Sequence, residues 1–147
     1  FKMDELELYE FSELRFSLES QALSSAFKKN RLELVRKLKN VIQEMEECVS
    51  NNEVRKFDLL DTKFHKTFFL ISGNRYLLKS YENISGIIET LRTHTHKSEN
   101  SVISFVDDHM NILKFIEMGE INQSKNELDR HIKIWINDKV TKSLISG

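Results

Sequence analysis

The chain has 147 residues, 39% hydrophobic and 31% charged, and its 22 Lys+Arg against 23 Asp+Glu give a net charge of −1. That length fits one domain with a single core, and the complete lack of Pro with only four Gly excludes an all-β sandwich or barrel, which recruits both at its turns. Near-neutrality excludes a polybasic nucleic-acid binder. The single Cys48 excludes an intrachain disulfide, and no apolar run reaches the roughly 18–20 residues of a membrane span or resembles a signal peptide, so a cytoplasmic protein without a membrane partner is expected.

Hydrophobic periodicity predicts six helices. The first runs from about Leu6 to Lys28 along Phe11, Leu14, Leu18, Ala22 and Ala26, and breaks near Lys29-Asn30. The second, from about Leu32 to Val49, carries Val35, Leu38, Ile42, Met45 and Val49, and the third, Glu53 to Ser72, carries Val54, Phe57, Phe64, Phe68 and Ile71 before a Ser72-Gly73-Asn74 stop. The fourth, Tyr76 to Thr95, has Leu77, Tyr81, Ile84, Ile88 and Leu91, with Gly86 expected to bend or split it. After a loop at Lys97 to Ser101, the fifth uses Val102, Val106, Met110, Leu113 and Ile116, and the sixth, Ile121 to Leu144, uses Leu128, Ile132, Trp135 and Val140. Helices of this length joined by short turns imply an all-α antiparallel bundle about 30 Å long.

Ionisable residues interrupt these apolar stripes. Phe57, Asp61, Phe64 and Phe68 follow i, i+4, i+7 and i+11, and His65 projects one turn beyond Asp61. His109 lies within the Val106 to Leu113 stripe, and His131 between Leu128 and Trp135. A buried carboxylate or imidazole costs several kcal/mol unless it is paired or binds metal. An Asp-x-x-x-His pair with two further histidines from neighbouring helices offers three nitrogens and an oxygen to a divalent cation, Zn²⁺ first and Ni²⁺ as the alternative. The competing reading is a set of hydrogen-bonded core histidines. Arg15, near the seam of the first helix, either pairs with Glu19 four residues on or helps to hold a small carboxylate beside the metal. His94 and His96 fall near a helix end and are expected in solvent, and Cys48 reads as a packing residue. No Gly-rich phosphate loop or nucleophile elbow is present, so no catalytic residue is assigned.

These residues resemble the FCD-type ligand-binding domain of GntR-family bacterial transcription regulators, the FadR C-terminal-domain type. Leu14-Arg15-Phe16-Ser17-Leu18-Glu19 is similar to the opening R-x-x-L/I-E helix, Asp61-Thr62-Lys63-Phe64-His65 to D-x-x-F-H, and Ser72-Gly73-Asn74 to the S-G-N turn. Asp108-His109-Met110-Asn111-Ile112-Leu113 is similar to E-H-x-x-I-L, with Asp108 where Glu is usual; Gly119-Glu120 and His131-Ile132 follow in order. The resemblance implies a bundle of six to seven helices over residues 6–147, with residues 1–5 as linker. It implies a homodimer that senses a small organic acid, a metal held at Asp61, His65, His109 and His131, and an effector contact at Arg15. It also implies a winged helix-turn-helix that precedes the domain; nothing in this chain matches one, and the opening at Phe1 reads as a partial or processed chain, so DNA would be reached only through that other domain. The expected function is therefore effector sensing, not enzymatic turnover. A metal-dependent hydrolytic enzyme and a metal-free helical interaction module are the alternatives.

Overall fold

Asp4 starts the first helix by a reciprocal cap: the Glu7 backbone N–H donates to Asp4 Oδ1 at 2.7 Å, and the Asp4 N–H donates to Glu7 Oε2 at 2.8 Å. Residues expected as linker thus supply a helix start. The computed structural model describes residues 2–95 and 99–137, without the side chains of 95, 99–102, 135 and 137. Five helices follow in order: α1 (Glu5–Asn51), α2 (Val54–Ser72), α3 (Arg75–Thr95), α4 (Glu99–Glu117) and α5 (Ile121–Asn137). No strand occurs among the described residues. His96, the Trp135 and Val102 side chains, Val140 and the expected continuation to Leu144 lie outside them.

The first two expected helices are the arms of α1, which is interrupted at Asn30, where the backbone leaves helical geometry (φ −158°, ψ 79°). Asn30 caps the second arm, its Oδ1 accepting from the Glu33 N–H at 3.1 Å. α1 is the spine of the bundle: it packs most extensively on α2 and also touches α3, α4 and α5, while α4 packs on α5 and α2 on α3. The turns between packed neighbours are short. Asn52 (φ 61°) and Gly73 (φ 67°) close α1 and α2 in the left-handed conformation, and Gly119 (φ 79°) does so after α4. Asn74 Oδ1 then accepts from the N–H groups of Tyr76 and Leu77 to open α3.

The core is built largely from the expected stripes, with Leu38, Met45, Phe57, Phe64, Phe68, Ile88, Leu128 and Ile132 all buried, and Leu34 and Ile112, which those stripes left out, join them. Three expectations change. Gly86 does not split α3, which runs through it unbroken. α4 already starts at Glu99, so part of the expected loop is helical. Leu14 and Met110 lie at the edges of their stripes and are 46% and 45% exposed.

The cap at the α1 interruption is a local device with a measurable worth. Asn30→Ala leaves the Glu33 N–H without its acceptor and is expected to cost about 1 kcal/mol, lowering the melting temperature by roughly 3 °C in a circular-dichroism melt.

Candidate metal centre

α2 presents Asp61 and His65 on one face at i, i+4, α4 presents His109, and α5 presents His131. One ligand atom from each of the four lies within 4.8 Å of the others, and all four residues are buried. The His65 and His131 rings stack at 5.4 Å with 7° between their planes, while His109 meets them edge-on at 5.4 and 4.7 Å. Phe64 packs on His109 at 4.5 Å and Phe105 on His131 at 5.6 Å, so the polar cluster has apolar walls.

Each imidazole has its Nδ1 committed to an acceptor. His65 Nδ1 donates to Glu19 Oε1, His109 Nδ1 to the Phe105 carbonyl, and His131 Nδ1 to Asp108 Oδ2 at 3.2 Å. A carbonyl or an ionised carboxylate only accepts, so Nδ1 carries a proton in all three rings and Nε2 faces the centre. His109 Nε2 lies 2.8 Å from Asp61 Oδ1, which also only accepts, so without a cation this ring donates from both nitrogens, and a bound cation would take the place of the Nε2 proton. His65 Nε2 approaches the same oxygen to 3.1 Å without hydrogen-bond geometry, and has no hydrogen-bond partner. Three inward imidazole nitrogens, a carboxylate oxygen and an outer acceptor on every ring are the donor set and second layer that a divalent transition metal requires.

Two buried ion pairs support the cluster. Arg92 of α3 sets its Nε 2.7 Å from Asp61 Oδ2, and its guanidinium donates to Thr62 Oγ1. Arg15 Nε donates to Glu19 Oε2 at 2.5 Å. Burial alone would raise both carboxyls, but Arg92 and His109 outweigh it at Asp61 and hold that group well below the carboxylate range. Arg15 and His65 do the same at Glu19, bringing it down to about 2. At His65 burial disfavours the charged ring, yet Glu19 and Asp61 win and raise it. At His131 burial prevails over the help from Asp108, with His109 and His65 adding to it, and the ring is pushed down to about 3.

The structure thus brings together the four residues expected as metal ligands. Arg15 is buried, and its partner is Glu19, the simpler of the two possibilities its spacing left open. Sequence reasoning missed three supporting residues. Glu19 was visible only as that ion-pair partner. Asp108 was visible only as a motif position, and it also accepts from Arg130 at 2.6 Å. Arg92 passed unnoticed, although its place four residues after Ile88 and eleven after Tyr81 is a core position on α3. His94 is half-buried, not solvated.

The shifts fix a pH dependence with a definite sign. An imidazole that is near 6.5 unfolded and about 3 folded makes the unfolded chain bind the extra proton, so stability falls as pH drops from 6.5 to 3. His65 acts oppositely: its contribution is complete below 6.5 and fades as pH rises through its raised folded value. Glu19 adds a loss only below 4.5. In chelator, the melting temperature is therefore expected to fall between pH 6.5 and 4.5 and to flatten there in His131→Gln. An equal fall in both proteins contradicts the assignment.

The FCD domain family model matches residues 10–133. Among solved structures, the chain is similar to the metal-free FCD domain of TM0439, a proposed transcriptional regulator, at 25% identity, with a TM-score of 0.80 and 98% of each chain covered. No curated protein matches the chain. The matched stretch holds all four clustered residues and the supporting Arg15, Glu19, Arg92 and Asp108, and the relative is a regulator domain rather than an enzyme. On its sequence match and its all-helical architecture, the chain belongs to the FCD domain family.

Proposed function

We propose that this chain is the effector-sensing and dimerisation domain of a GntR-type transcription regulator. In this reading Asp61, His65, His109 and His131 hold one divalent cation, Zn²⁺ or Ni²⁺, and a small carboxylate completes the site. The observation that carries it is the convergence of three buried imidazole nitrogens on one carboxylate, each ring held from behind by an acceptor. The cation, when bound, supplies Lewis-acidic positions that attract an anionic oxygen.

Charge balance gives the class of effector. Arg15 and Glu19 compensate each other in the core, as do Arg92 and Asp61. A divalent cation among neutral histidines adds two positive charges that these pairs do not cancel. An isolated charge at such depth costs several kcal/mol, so an anionic ligand is stabilised there. The two arms of α1 touch every other helix, and a DNA-binding domain reached through its N-terminal end would respond to a change in how that helix packs. The effector shifts the regulator only by binding one arrangement better than the other.

One observation favours a metal-free helical module instead. Asp61 already meets both His109 and Arg92, so the cluster nearly satisfies itself, and the solved relative is a metal-free form. Two measurements separate the readings. Protein purified without chelator is expected to hold close to one metal per chain by elemental analysis, with His109→Ala losing it. A thermal-shift panel of mono-, di- and hydroxy-carboxylates is expected to contain acids that stabilise only when metal is present. At a hundredfold excess over Kd, one ligand adds about 2.7 kcal/mol, roughly 5–10 °C for a chain this long. Melting that ignores both chelator and acids would support the metal-free module.

A further inference from the structure

Arg15 presents a problem for a purely effector-binding role. Its side chain is 1% exposed, and its Nε is spent on Glu19. Glu19 is itself fully buried, and its other oxygen receives the Nδ1–H of His65. One carboxylate thus joins the arginine of α1 to a metal-ligating ring of α2. We propose that Arg15 and Glu19 are positioning residues of the metal site: Arg15 holds the Glu19 carboxylate in place, and Glu19 fixes the His65 ring with its Nε2 toward the centre, so that Arg15 sets metal affinity with no effector present.

The geometry separates this from simple core pairing. Glu19 uses its two oxygens on two different partners, Oε2 on Arg15 and Oε1 on His65, so neither contact can be lost without changing the other. His65 Nε2 has no hydrogen-bond partner, so Nδ1 is the ring's only hydrogen-bonded anchor. The acceptors behind His109 and His131 are of another kind. His109 is held by a main-chain carbonyl, which no side-chain substitution removes, and the acceptor of His131 is itself held by the half-exposed Arg130. Among the three rings, His65 therefore depends most on a buried side chain, and that side chain depends on Arg15.

The inference rests on the metal reading above, and its test separates the two. Wild type, Glu19→Gln, Arg15→Met, Arg15→Lys and the Arg15→Met/Glu19→Gln double variant are titrated with Ni²⁺ against a chromophoric chelator, in buffer free of organic acids, after circular dichroism shows each folded. Removing an outer-shell partner typically weakens metal binding 10–100-fold, and that loss is expected for Glu19→Gln. Arg15→Met is expected to weaken binding about tenfold or more, and Arg15→Lys to stay near wild type. The double variant should bind no more weakly than Glu19→Gln alone, because Arg15 acts through Glu19. If Arg15→Met does not fold, Glu19→Asp carries the test, since it keeps the charge but withdraws the oxygen from His65; unchanged affinity there overturns the proposal. A wild-type chain that takes up no Ni²⁺ refutes the metal reading itself. Binding by wild type and Arg15→Met of equal strength keeps that reading and overturns the link through Glu19.

Discussion

Asp61 is the carboxylate on which the interior of this bundle depends. It is enclosed by helices and aromatic rings, where an unpaired charge would cost several kcal/mol, and it is tolerated because Arg92 meets one oxygen while His109 and His65 crowd the other. That arrangement ties α2 to α3 and α4 with one group. The same rule operates one turn away, where Glu19 survives burial between Arg15 and His65 and ties α1 to α2. The polar centre is consequently a buried cross-brace among helices that otherwise meet in the core through apolar side chains, and truncating one partner leaves the other charged and buried.

The helical frame serves this centre through its regularity. With no proline in the chain, α2, α3, α4 and α5 are unbroken over the described residues, and the phase of each stripe is kept along its length. α1 is the exception, and its interruption at Asn30 is stabilised by that residue's own side chain. The first arm carries Arg15 and Glu19 to the centre, and the second packs Leu34, Leu38 and Met45 into the core. Arg31, just past the break, donates to the Glu117 carbonyl at the end of α4 and so fixes where the second arm begins.

How much of this could be read from the sequence follows from what periodicity encodes. A polar residue on an apolar stripe is conspicuous, and Asp61, His65, His109 and His131 were found that way. Their convergence was a further expectation, because a stripe gives the face of a helix and not its height against a neighbour. Arg92 escaped because an arginine near a helix end reads as solvated when its long side chain can reach water. Glu19 escaped for the opposite reason: its ion pair with Arg15 at i+4 already explained it, and nothing local reveals that the second oxygen reaches a ring 46 residues away. Gly86 misled because glycine weakens an isolated helix, whereas tertiary packing on both sides of it carries α3 through. Leu14 and Met110 show the limit of stripe width: a residue at the margin of an apolar face is as often rim as core.

The central claim is that His65, His109 and His131 all turn Nε2 inward because each Nδ1–H is held from outside. The most direct measurement is the paramagnetic proton NMR spectrum of the Co²⁺-loaded protein in light and heavy water. Three Nε2-bound imidazoles, each with a protected Nδ1–H, give three strongly shifted signals that are lost in heavy water, and His65→Ala removes one of them. Fewer than three such signals, or a set unchanged by that substitution, would contradict the account.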